Sequence, residues 1–128
     1  VGVKMKDALF RVLDPEDDEF AKMLMELGVK KNVAKILAYM KNQREVTSRD
    51  LELGSGLRQP EVSLAMRELR EMGWVSEREM KKPGKGRPYK MYTLEKPIRE
   101  IIEELEEEKR KESQIVMENI QRLKELVK

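Results

Sequence analysis

Residues 47–94 read TSRDLELGSGLRQPEVSLAMRELREMGWVSEREMKKPGKGRPYKMYTL, and the fold turns on how this stretch divides. Thr47 or Ser48 is a helix cap, and the helix it opens carries Leu51 and Leu53 and ends at Gly54. The turn Gly54-Ser55-Gly56-Leu57 leads to Arg58-Gln59-Pro60, where Pro60 suits the first position of a second helix. That helix buries Val62, Ala65 or Met66, and Leu69, and closes at Gly73. Two helices joined by a short glycine turn form a helix-turn-helix. Directly after it come two strand-like runs, Trp74–Met80 and Tyr89–Leu94, with aromatic and β-branched residues where strands favour them. The loop between them, Lys81–Pro88, holds two Gly and two Pro, which let neither regular structure continue. A basic hairpin in this position is a wing, and Glu45-Val46-Thr47 supplies a third strand for a small antiparallel sheet.

Working outward, Asp14-Pro15-Glu16-Asp17-Asp18 is a helix start: Asp at the cap, Pro next, and acidic side chains at the positive end of the dipole. Phe20, Met23, Leu24 and Leu27 follow, and Gly28 stops the helix. A further helix spans about Lys30 to Lys41, with Val33, Ile36, Leu37 and Met40 at helical spacing. Met5, Leu9, Phe10, Val12 and Leu13 give residues 1–13 the pattern of a short helix. Downstream, Pro97 opens a last helix reaching almost to Lys128. Its residues Ile98, Ile102 and Leu105, then Val116, Ile120, Leu123 and Val127, approximate an a/d seam, and the charged run Glu103–Lys111 predicts a bend or a division into two segments. The expected fold class is mainly α with a small antiparallel β-wing (α+β), a winged helix-turn-helix with a long C-terminal dimerisation helix. Its divisions are an N-terminal helical segment (1–28), the winged helix-turn-helix (29–95) and the amphipathic final helix (96–128).

Composition narrows the function. Charged residues are 41% of the 128 and aromatics only 5%, so the core is thin and aliphatic. Cysteine and histidine are both absent, which removes disulfides, thiolate or imidazole metal sites and the commonest general base. No nucleophile–base pair, phosphate-binding loop or metal constellation is found, so the expectation is no enzyme, no cofactor and no metal. The pair Glu103 and Glu107 has i, i+4 spacing, but it belongs to a solvated helix. No apolar run approaches a membrane span, and residues 1–6 lack the apolar core of a signal peptide, so the chain reads as cytoplasmic. Abundant Lys and Glu with few Asn and Gln resemble thermophile usage. Residues 44–93 carry 11 basic and 8 acidic side chains, a net +3, whereas 94–128 carry 8 and 10, a net −2. Within the middle, Arg78–Lys90 sets six basic residues against Glu79 alone. A local charge of that size points to a polyanion.

From Leu27 to Leu94 the order of elements resembles archaeal and bacterial winged-helix regulators of the MarR and TrmB type. Ser48-Arg49-Asp50-Leu51, Gly56–Ser63 and Arg67–Val75 are similar to their helix-turn-helix, and Gly86-Arg87-Pro88-Tyr89-Lys90 with Tyr92-Thr93-Leu94 to the TrmB wing. The sugar-binding extension of long TrmB proteins is missing here, and the final helix is more charged than most. The resemblance implies that the helix from Gln59 to Met72 enters the major groove of double-stranded DNA. With Val62, Met66 and Leu69 inward, Gln59, Pro60, Ser63 and Arg67 point away, with Leu64 at the margin. Arg67 then suits guanine, Gln59 adenine and Leu64 a thymine methyl; a surface pair of Arg67 with Glu71 is the competing reading. Thr47, Ser48, Arg49 and Arg58 are placed for phosphates. Lys82, Lys85, Arg87 and Lys90 lie on the wing, where Arg87 resembles an arginine that related proteins insert into the minor groove. Trp74, Tyr89 and Tyr92 read as core rather than as base-stacking platforms.

These expectations meet in a sequence-specific transcriptional regulator, most simply a repressor, acting on double-stranded DNA as a homodimer through Ile98, Ile102, Leu105, Val116, Ile120, Leu123 and Val127. Two alternatives stand beside it: a winged helix used for protein contact, and a sequence-tolerant architectural DNA binder. The sequence names no small-molecule effector.

Overall fold

The computed structural model describes residues 14–81, 84 and 86–127, and among them are five helices and three strands. They follow the order α1 (Pro15–Glu26), α2 (Lys31–Met40), β1 (Glu45–Thr47), α3 (Ser48–Ser55), α4 (Gln59–Glu71), β2 (Val75–Met80), β3 (Tyr89–Leu94) and α5 (Ile98–Leu126). The expected fold class holds. The chain divides into two compact units, Val1–Pro97 and Ile98–Lys128. The short helix expected within residues 1–13 lies outside the described residues.

α1 begins where its acidic cap predicts. Asp14 accepts from the Asp17 N–H at 2.9 Å and Asp17 accepts from the Asp14 N–H at 3.2 Å, a reciprocal box that satisfies two otherwise orphaned donors. Asp17 is completely buried, and the Lys41 ammonium, 2.7 Å away just beyond α2, neutralises it. One carboxylate therefore starts α1 and fastens it to the end of α2. The Lys41 ammonium also lies 5.9 Å from the centre of the Phe20 ring.

α2 departs from the single stripe read in its sequence. Besides Val33, Ile36, Leu37 and Met40, it buries Ala34, Ala38 and Tyr39. A helix covered on most sides is the centre of a small domain, and α2 packs against α1, α3 and α4. Its neighbours contribute Leu51, Val62, Met66 and Leu69, all essentially inaccessible. Both Ala65 and Met66 are buried, where the sequence left a choice.

The helix-turn-helix hangs from Thr47. Its hydroxyl accepts from the Asp50 N–H, and the Asp50 carboxylate accepts from the Thr47 N–H, each at 3.0 Å. α3 runs past Gly54 to Ser55, a correction to the expected stop. The terminating glycine is Gly56, whose φ of 75° a side chain would resist, and whose N–H donates to the Glu52 carbonyl. Ser55 brackets the turn: its hydroxyl donates to the Leu51 carbonyl and accepts from the Leu57 N–H.

The three strands pair antiparallel in the order β1-β3-β2. Val46 faces Tyr92 in one ladder and Glu77 faces Tyr92 in the other, so β3 joins the start of α3 to the strand that leaves α4. Trp74 and Tyr92 are buried as expected, whereas Tyr89 near the wing tip is only half-buried.

α5 is one helix of 29 residues, about 43 Å long at 1.5 Å per residue, without the expected division. Glu, Lys and Arg are good helix formers, and the pairs Glu106–Arg110 and Lys109–Glu112 join successive turns of the charged run. Charge excluded a core-facing stripe there, not a helix.

Lys41→Met, which strips the partner from a buried carboxylate, is expected to cost about 3 kcal/mol. Thr47→Ala, which removes a cap, is expected to cost about 1 kcal/mol. Urea unfolding followed by far-UV circular dichroism measures both, and a Lys41→Met loss no larger than that of Thr47→Ala would remove Asp17 from its central role.

Candidate nucleic-acid interface

The geometry of α4 follows from its core face. At about 100° per residue, Val62, Ala65, Met66 and Leu69 occupy one side, and the arc opposite contains Pro60, Ser63, Leu64, Arg67 and Glu71, with Gln59 at its flank. All five residues expected to read bases, Gln59, Pro60, Ser63, Leu64 and Arg67, are exposed, Leu64 at 56%. Arg58 caps the helix through its backbone. Its N–H donates to the Glu61 carboxylate at 2.9 Å, so Glu61 closes the entry and its charge meets the positive end of the helix. Arg67 makes no hydrogen bond or ion pair with any described residue, and the competing pair with Glu71 does not form.

The residues expected at phosphates divide into two kinds. Arg49 and Arg58 are exposed, with no ion pair to a described residue. Thr47 and Ser48 are half-buried, and the Thr47 hydroxyl caps α3. Burial pushes the Tyr92 phenol up from its ordinary value, and the charge of Glu77 adds to that, while Ser48 acts the other way.

On the wing, Arg87 and Lys90 are exposed, while Lys82 and Lys85 lie outside the described residues. Lys90 has a partner that the sequence did not reveal: its ammonium is 3.7 Å from Glu77, whose other oxygen is 3.5 Å from Arg70 of α4. A second cluster joins the outer strands across β3. The Arg78 guanidinium donates to Glu45 at 2.9 Å and to Thr93 at 3.3 Å. Neither was legible beforehand, because both depend on the β1-β3-β2 order, which brings positions 45, 78 and 93 together. Among the described residues no group of acidic side chains is arranged to hold a metal ion. No helix among them is long and apolar enough to cross a membrane.

The residues assigned to a dimer seam also divide. Leu105 is buried, 6% exposed within the single chain, and Ile98 is half-buried, so the buried stripe of the first turns is 98, 101, 105 rather than 98, 102, 105. Ile102, Val116, Ile120, Leu123 and Val127 are exposed, joined by Ile115, Met117 and Leu126.

No protein-family model matches the chain, and no curated protein matches it. Solved structures do. TrmBL2, described as an archaeal chromatin protein with a novel mode of DNA binding, superposes with a TM-score of 0.61 at 19% identity. The match covers 86% of this chain and 40% of TrmBL2, so the chain spans less than half of that protein. NadR, solved in complex with 4-hydroxyphenylacetate, gives a TM-score of 0.50 at 19% identity over 98% of this chain and 85% of its own. The transcriptional regulator PA4135 gives 0.50 at 17% over 99% and 92%. The chain shares the winged-helix fold of these proteins.

The Arg78 guanidinium, through its hydrogen bond and then its charge, holds the Glu45 carboxyl below its ordinary range, with Thr93 adding to the effect. Because the folded value is depressed, this link stabilises the sheet above the ordinary carboxylate range and is lost as pH falls through the folded value. In a carbon-detected NMR titration Glu45 is expected to protonate below the ordinary glutamate range, and Arg78→Met to move it upward; an unmoved midpoint would contradict the pairing.

Proposed function

We propose that this chain is a sequence-specific double-stranded DNA-binding transcriptional regulator, a repressor in the simplest case, and not an enzyme. It is supported above all by one observation: the arc of α4 opposite the core is exposed and ends in an unpaired Arg67, beside a wing that carries an exposed Arg87. A helix of this kind fits a major groove roughly 12 Å wide. Gln59, Ser63 and Arg67 offer hydrogen-bonding groups to base edges, and Leu64 an apolar contact. Arg49 and Arg58 supply cations for phosphates, and Arg87 suits the negative potential of a narrow minor groove. An arc rich in polar groups disfavours the protein-contact alternative, which wants an apolar face.

The regulator acts as a homodimer. Val116, Ile120, Leu123 and Val127 recur at a/d spacing along the exposed end of α5, with Ile102 two heptads earlier on the same stripe. Such a seam left in water is costly, and a second copy covers it. Two recognition helices would then meet half-sites one helical turn apart.

A second reading is favoured by the likeness to TrmBL2, described as a chromatin protein: sequence-tolerant architectural binding. Selection of bound duplexes from a random pool at two salt concentrations separates the readings. A two-fold symmetric motif is expected. Binding without enrichment would replace it with the architectural role, and no binding at low salt would overturn both. Arg67→Ala is expected to relax base preference, whereas Arg87→Ala weakens binding on all sequences; equal losses from both would cancel those roles. In sedimentation velocity at micromolar concentration the chain is expected as a dimer and Leu123→Asp as a monomer. A monomeric wild type would overturn the dimer.

A further inference from the structure

Glu77 occupies an unusual position for an acidic residue in a basic wing. It lies on β2 opposite Tyr92 of β3, and its side chain is 21% exposed, less than half as much as most charged groups nearby. One carboxylate oxygen faces Arg70 Nε from the last turn of α4, at 3.5 Å, and the other faces Lys90 Nζ from β3, at 3.7 Å. Three elements thus meet at one group: α4, β2 and β3. These are the parts that the proposed function sets against DNA.

The cations of this face fall into two sets. Arg67, Arg58, Arg49 and Arg87 are exposed and have no ion pair with a described residue. Arg70 and Lys90 are shared by Glu77. Arg70 follows Ser63 by seven positions, nearly two turns, and so lies along the same flank of α4 as the expected base contacts. Left unpaired, it would stand where a phosphate passes.

We infer that Glu77 is a positioning residue that withholds Arg70 and Lys90 from the DNA backbone and locks the end of α4 to the wing, so that phosphate attraction is left to other cations, Arg49, Arg58, Arg67 and Arg87 among them. The inference rests on the DNA-binding reading. Its consequence is specificity: attraction to phosphates carries no sequence information, so every cation withheld from it lowers affinity for all sequences while base contacts keep their worth. An isolated exposed pair would exchange partners readily, but here the carboxylate is largely covered and lies between two cations.

The test is the salt dependence of binding by the full-length chain, on a duplex carrying the selected motif and on a scrambled one. Glu77→Gln is expected to steepen the slope of log K against log salt by about 0.9 for each cation released, up to about two. It should also tighten scrambled-duplex binding severalfold and lower the ratio of specific to non-specific affinity. Arg70→Gln and Lys90→Gln are expected to leave the slope unchanged, while Arg67→Gln reduces it by about 0.9. Thermal melting shows which variants fold, and if Glu77→Gln does not, the Arg70 and Lys90 variants decide alone. A wild type that binds DNA, with Glu77→Gln unaltered in slope or Arg70→Gln lowering it as Arg67→Gln does, overturns this inference and leaves the DNA-binding reading intact. A wild type that binds no duplex at low salt overturns both.

Discussion

The pairing of β1 with β3 is the constraint on which the rest depends. β1 is three residues long, yet its last residue, Thr47, both closes the ladder opposite Met91 and caps α3. The same β3 pairs on its other side with β2, which begins four residues after the end of α4. The backbone therefore fixes the start of the helix-turn-helix and its exit to one central strand, and Gly73, at φ 78°, makes the tight departure from α4 that this closure needs. A three-stranded sheet of this size has little face of its own to bury. Val46, Val75, Tyr92 and Leu94 supply it, and the helices complete the core.

The charge-rich composition fits this frame because most charges stay at the surface, in pairs that cost little and contribute little. Asp17 is the exception. Its burial is tolerable because the carboxylate has both a backbone donor and the Lys41 ammonium, so neither the hydrogen-bonding capacity nor the charge is left unanswered. Such a group contributes no more to net stability than an apolar residue of similar size, but it dictates how α1 lies on α2. The thin aliphatic core alone would accept several arrangements of two short helices.

Most of the fold was legible from local signals. Asp14-Pro15, Thr47, Pro60 and Gly73 mark helix ends by chemistry that acts within three or four residues, and the structure uses each of them. The errors have a common cause as well. Gly54 and Gly56 are equivalent as sequence punctuation, and only the left-handed backbone at Gly56 separates them. Ile101 and Ile102 are adjacent and chemically identical, so the stripe that is buried could not be chosen without the neighbours that bury it. The exposed face of α4 could be found because its core residues are unambiguous. The partners of its arginines could not, since Glu77 approaches Arg70 only through the hairpin register. Charge counts treat Lys90 and Arg87 alike, whereas the fold gives one a carboxylate.

Within α5 Ile101 and Leu105 are buried, and the exposed apolar residues are concentrated between Ile115 and Val127, where every residue is exposed. They include Met117 and Leu126 beside the a/d positions, making a stripe wider than a two-residue seam. The intervening charged run, from Glu103 to Glu112, has helix-forming residues and internal ion pairs but no apolar stripe. Along α5 it sets the exposed apolar stripe about three turns beyond the buried Leu105.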